Sequence, residues 1–217
     1  MADHAGRDRV LEATMTVLAR DGIHGISGRV IAAEADVSQA LVFYHYGSVT
    51  DLLATAARTA SARRASTYQQ RLASVGTLSD LVAEARQLHR EEVVNGNLAA
   101  VRQLVAAAAI DHHLRPSLQA SFDQLAAPVA DRIRELTAGT ALEGILDPTP
   151  LARGVAGSFL GLQLLDGVVL DIEDDALLSL EQLARLGDIV LSAGVLESAV
   201  VRRRLQQVTG TGADRPR

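Results

Sequence analysis

Cysteine is absent from the 217 residues, and so is lysine. Without thiols the chain forms no disulfide and offers no thiolate to a metal. Aromatics are scarce at 3%. Alternating runs of Val, Ile, Thr and aromatic residues are missing, which argues against β-structure. The longest apolar stretches, Val105 to Ile110 and Phe159 to Leu165, fall short of the roughly 20 residues a bilayer-spanning helix needs. The start Met1-Ala2-Asp3-His4 lacks the charged-then-apolar order of a signal peptide, so a cytoplasmic location with no membrane partner is expected. What remains is 48% hydrophobic and 22% charged, rich in Ala and Leu, and reads as an all-α protein able to bury a sizeable core. All 21 basic residues are arginine. This fits planar contacts to phosphate and guanine, or simply a codon bias towards Arg and Ala.

Three of the six aromatic residues stand together in Phe43-Tyr44-His45-Tyr46, a concentration of large amphipathic rings that suggests a contact surface. The flanking sequence predicts short helices. From Arg7 to Asp21, Val10, Leu11, Thr14, Val17 and Leu18 keep helical spacing, and Gly22 suits a helix C-terminus. Ser27 caps a second helix through Ala35, Asp36-Val37 make a tight turn, and Ser38 caps a third helix to about Tyr46. Ser48-Val49-Thr50-Asp51 is a capping box opening a longer fourth helix towards Leu72. The second and third helices form a helix-turn-helix, whose second member presents its N-terminal residues to the DNA major groove.

The stretch Ser27 to Ser38, continuing to Leu52-Leu53, resembles the N-terminal signature of the TetR-type transcriptional regulators. It keeps the Ile-Ala pair, the Val-Ser before the recognition helix, the aromatic-aromatic-His-aromatic block and the Ser opening helix four. Over these 45 or so residues the string is far more specific than a bare helix-turn-helix. The resemblance implies a helix-turn-helix domain over residues 1–50, a helical effector-binding and dimerisation domain over 51–208, and, from composition, a disordered tail over 209–217. Departures are Asp36 and Ala40 where the family usually has Gly, Val49 in place of a phosphate-contacting lysine, and Phe43 in place of a tyrosine.

Candidate DNA contacts follow. Gln39 can bond the N6–N7 edge of adenine, and Ala40 and Leu41 can touch thymine methyls. The resemblance places Arg29 where some members read guanine. Ser38, Tyr44 and His45 are read as phosphate contacts, while Phe43 is counted on the DNA face with core packing as its alternative. Tyr46 is expected in the core. Charge opposes this reading: residues 1–53 hold four Arg against seven Asp or Glu, net −3, whereas DNA affinity comes largely from neutralised phosphates. Arg58, Arg63 and Arg64 are the expected local compensation, along with the uncharged amide donors of helix N-termini.

In the larger domain Ser79 is expected to cap a helix whose face carries Val82, Ala85, His89 and Val93. Leu118, Phe122, Leu125, Val129, Ile133 and Leu136 stripe the next long helix, with Pro128 as a kink. Polar candidates for holding a small hydrophobic or amphipathic effector are His89, Gln103, Ser121 and Gln163, with Phe122, Leu125 and Phe159 as apolar walls; for His89 a core role stays open. Gly154, Gly157, Ser158 and Gly161, in a helix opened by Thr149-Pro150, form a small-residue face. After an acidic loop at Asp171 to Asp175, Leu180, Leu183, Gly187 and Val190 line a last helix from Ser179 to Ala193. These two helices are the expected homodimer interface, and a twofold dimer implies a palindromic double-stranded DNA operator. Asp111-His112-His113 is the sole acid–base cluster. No cofactor and no metal are expected, since adjacent histidines cannot share a metal from one helix face. The reading is a ligand-responsive repressor; a head that has lost DNA binding and works through proteins, or a helical enzyme, are the alternatives.

Overall fold

The computed structural model describes residues 2–165 and 172–192, with side chains over 6–162 and 175–192. Among the described residues nine α-helices follow one another: α1 (Ala2–Asp21), α2 (Gly28–Glu34), α3 (Gln39–Tyr46), α4 (Val49–Leu72), α5 (Leu78–Val94), α6 (Asn97–Ile110), α7 (Arg115–Thr137), α8 (Pro148–Leu165) and α9 (Ile172–Leu191). The described residues include no strand. No single helix among them is long and apolar enough to cross a membrane.

Local chemistry sets the helix starts. The Ser27 hydroxyl accepts from the Val30 amide at 3.3 Å, Ser38 from Leu41 at 3.2 Å, and Ser48 from Asp51 at 3.0 Å. Each removes one of the unpaired amides at a helix N-terminus. Three boundaries differ from expectation. Thr77, not Ser79, caps α5, accepting from Asp80 at 3.0 Å, because Ser79 and its amide turn to the Asp188 carboxylate on α9. Asp147, whose Oδ1 accepts from the Thr149 amide at 3.1 Å, serves α8 in place of Thr149. The last helix starts at Ile172, so the backbone of residues 172–175 is helical instead of forming a loop.

Three apolar clusters organise the packing. The first closes the N-terminal head: Val10, Leu11, Ile31, Ala32, Val42, Tyr46 and Leu52 join α1 to α4. Thr14 is buried with them and donates to the Val10 carbonyl at 2.7 Å. The second, with Leu18, Leu53, Ala57, Leu104 and Ala108, wedges α1 and α4 against α6. It makes the head continuous with the body. The third holds Leu72, Leu81, Ala126, Ile133 and Ala152 from α4, α5, α7 and α8. Pro128 is buried inside α7. Val93, expected on the inner face of α5, is exposed at its C-terminal end. The expected tail at 209–217 lies outside the described residues.

Candidate DNA-reading head and effector cavity

The helix-turn-helix turn hinges on one backbone conformation. Asp36 has φ +52° and is the sole non-glycine residue with positive φ among those described. Its amide donates to Ala33 O at 3.3 Å and the Val37 amide to Ala32 O at 3.0 Å, ending α2 and turning the chain into α3. Asp tolerates this left-handed region better than most residues. The angle between the two helices is then fixed by contact. A Cβ built on Gly28 would stand 2.6 Å from Phe43 Cζ, so the tip of the Phe43 ring presses on the start of α2 and would have to shift for any larger residue there. Phe43 is 38% exposed: one side packs and the other faces out.

The remaining head candidates share one surface. Arg29, Ser38, Gln39 and Ala40 are exposed, Leu41 is half-buried, and Tyr44 is 83% exposed. Ser38 is also the helix cap, and its hydroxyl hydrogen stays available as a donor. His45 is half-buried between Tyr44 and Tyr46, edge-on to both at 5.2 and 6.2 Å. Tyr46 is buried and donates to the Arg7 carbonyl at 3.1 Å.

The expected compensating arginines do not face this surface. Arg58 donates to Ser117 Oγ at 2.6 Å on α7, Arg63 reaches Glu12 at 2.9 Å and Asp8 at 3.4 Å, and Arg64 reaches Glu92 at 3.1 Å. Arg20 is likewise held by Asp21 and Glu34. Sequence distance from the head suggested otherwise; the turn of α4 carries all three side chains towards acidic or hydroxyl partners instead.

Two further polar ties join head to body. The Ile23 amide donates to Gln103 Oε1 on α6 at 3.1 Å, and Thr50 Oγ1 donates to Asp111 Oδ2 at 3.0 Å. The other oxygen of Asp111 accepts from the His113 amide at 3.0 Å. These hydrogen bonds, the His113 amide first, hold the Asp111 carboxyl below its ordinary range. Asp111 is therefore a turn-former, with His112 and His113 exposed beside it. No group of three His, Cys, Asp or Glu side chains among the described residues is placed to hold a metal.

Between α4, α5, α6, α7 and α8 lies a largely apolar cavity of about 150 Å³. Phe122, Leu125, His89 and Phe159 line it, His89 lying 4.8 Å from the Phe159 ring between centroids. Of the other effector candidates, Gln103 is not among its lining residues, because its amide oxygen is turned to the head. Ser121 is buried beside Phe122 but likewise does not line it. The Gln163 side chain lies outside the described residues. Sequence reading missed the polar end of the cavity, where Arg64, Tyr68 and Glu92 meet. Tyr68 donates to Glu92 Oε1 at 3.1 Å, and burial, then the adjacent carboxylate, push its phenol well above the ordinary tyrosine range.

The expected dimer faces divide. Gly154, Gly157 and Ser158 are exposed on α8 and Gly161 is half-buried. On α9 Leu183 is exposed, Leu180 and Val190 are half-buried, and Gly187 packs within the chain: a Cβ there would meet Leu78 Cδ1 at 2.6 Å. Leu178, Leu186 and Ile189 extend the exposed apolar face.

A three-helix head with a helix-turn-helix, carried on an all-helical body that encloses a cavity, defines the class. Residues 10–56 match the family model described as bacterial regulatory proteins, tetR family. A solved structure assigned to the TetR family from Rhodococcus sp. is 28% identical, covers 88% of this chain and 100% of its own, and superposes with a TM-score of 0.68. An uncharacterized HTH-type transcriptional regulator of Mycobacterium tuberculosis is 26% identical over 128 residues; the match spans 59% of this chain and 66% of that regulator. The regulator BetI of Vibrio campbellii is 26% identical, with 73% of this chain and 92% of BetI covered. Residues 10–56 thus match the head of this family, and the chain as a whole has the TetR-family fold. These relatives are transcriptional regulators, not enzymes.

Proposed function

We propose that the chain is a dimeric, ligand-responsive transcriptional regulator that reads a palindromic operator through α3 and is released from it when a small molecule enters the cavity. The observation that carries this is the surface shared by Arg29, Gln39, Ala40 and Tyr44. Their side chains are exposed although the helices bearing them are pinned by the Gly28–Phe43 contact and the Asp36 turn. Rigid backbone beneath solvated polar side chains is what base reading requires. Few ion pairs are available, so the contacts rest mainly on hydrogen bonds from Gln39, Tyr44 and the N-terminal amides of α3.

The cavity can act on the head because α6 serves both. Leu98 and Val101 wall the cavity, and Gln103, half a turn on, holds the Ile23 amide. A ligand that displaces α6 loads that hydrogen bond and the apolar joint around Leu104 and Leu18. A ligand acts only by binding the DNA-incompatible state more tightly, with a coupling of about 1–3 kcal/mol typical of such systems. The dimer would form through the exposed faces of α8 and α9, with Leu183, Leu186 and Ile189 as buried anchors, bringing two heads to half-sites roughly 34 Å apart.

Selection of the purified full-length chain on random duplex DNA, beside an Arg29→Ala, Gln39→Ala double variant, tests the reading. A palindrome enriched by the parent and lost in the variant supports it. No enrichment at low salt overturns it and favours a regulator acting through protein partners, a reading for which the acidic head and its internally paired arginines speak.

A further inference from the structure

Among the described residues lining the cavity, Arg64 is the sole cation and Glu92 the sole carboxylate. Arg64 Nε lies 3.1 Å from Glu92 Oε2, and both side chains are only 14% exposed. Glu92 has a second donor, the Tyr68 hydroxyl at 3.1 Å. The cavity is thus neutral as it stands, and a charged ligand must exchange with the member of the pair that shares its sign. The two exchanges are unequal. An anion would have to evict Glu92, separating a short, nearly buried carboxylate from both Arg64 and Tyr68 and leaving it beside a second negative charge. A cation would evict Arg64, and the Tyr68–Glu92 hydrogen bond could stay. Arg64 also has somewhere to go: it borders a second crevice, between α1 and α4, that Glu12 lines as well. Phe122, Phe159 and Tyr68 add ring faces, whose negative quadrupole attracts cations and repels anions.

We propose that the effector is an organic monocation with an apolar body, which takes the place of Arg64 on Glu92 and sends Arg64 to the α1–α4 crevice. This rests on the reading of the cavity as the effector site. It gives Arg64 a second role, since its arrival beside Glu12 would place the ligand's charge signal on the first helix of the head.

The test uses the full-length chain, isothermal titration calorimetry and three probes of nearly one shape: benzyltrimethylammonium, its uncharged isostere neopentylbenzene, and benzylsulfonate. The cation should bind at least about tenfold more tightly than either of the others, the scale of a desolvated ion pair aided by aromatic faces. Glu92→Gln should weaken cation binding by about tenfold or more, whereas Arg64→Gln should strengthen it severalfold by removing the internal competitor. These opposite signs separate ligand exchange from structural damage, which would weaken binding in both variants and overturn the proposal. Tighter binding of the sulfonate or of neopentylbenzene overturns the cation assignment while leaving the cavity as effector site. Failure of all three probes, or cation binding untouched by a cavity-filling Ala85→Phe variant, overturns the cavity reading and the proposal with it.

Discussion

Replacing Asp36 by three residues isolates the backbone strain at the helix-turn-helix from the charge that sits there. At φ +52° an ordinary L-residue bears about 1–2 kcal/mol, because Cβ crowds the following carbonyl; Asp lies at the low end since its short polar side chain tolerates this region. Glycine has no Cβ to crowd but loses about 0.5–1 kcal/mol more backbone entropy on folding. Asp36→Gly therefore stabilises the fold only slightly, by about 0.5 kcal/mol, or roughly 1–2 °C in melting temperature for a chain of this size. Asp36→Ala keeps the crowding without the polar side chain and destabilises by about 1 kcal/mol. The readout is urea or thermal unfolding at one fixed protein concentration, because association also shifts apparent stability. Asp36→Asn completes the set: it retains tolerance of the left-handed region and removes one negative charge from an acidic head, so stability should change little while DNA affinity rises at low salt. An alanine variant as stable as the glycine variant would refute the reasoning, since it would mean that the turn in solution does not need positive φ.

Further outcomes follow from individual contacts. Gly28→Ala places a methyl against Phe43 and should cost about 1–3 kcal/mol by overpacking, with the loss reduced in a Gly28→Ala, Phe43→Leu double variant; chemical denaturation of the four proteins decides it. The Asp111 carboxyl, held below its ordinary range by the His113 amide and Thr50 hydroxyl, is a depressed acid. Its stabilising effect is full above the unfolded-state value and is lost as pH falls through the folded one, and Thr50→Val should raise its NMR-titrated pKa. DNA binding should show a shallow salt dependence because residues 1–53 hold only four arginines against seven acidic residues, and one of the four, Arg20, is held by Asp21 and Glu34; a log–log slope of about −8 or steeper, roughly nine neutralised phosphates, contradicts this. A Leu183→Asp, Leu186→Asp variant should sediment as a monomer and bind DNA weakly, and dimers that persist would move the interface elsewhere.

What the sequence determined was local. Caps at Ser27, Ser38 and Ser48 act on amides three residues away, helical stripes repeat every three to four residues, and the tight turn at Asp36 follows from a side chain acting on its own backbone. All of these can be read along the chain, so the head, its turn and its exposed polar face were legible. The body's contacts were not, since they depend on which helices meet. Ser79 had the chemistry of a cap, yet Asp188, 109 positions on, engages it. Gly187 looked like part of an interface between copies and instead accommodates Leu78. Gln103 had the right character for a ligand contact, but the approach of Ile23 directs its amide to the head. Arg64, Tyr68 and Glu92 lie on two helices with no spacing relation between them, and only the packing of α5 against α4 brings the three polar groups to one end of an apolar cavity. An ion pair's partner is fixed by distance in space, and sequence distance carries no record of it.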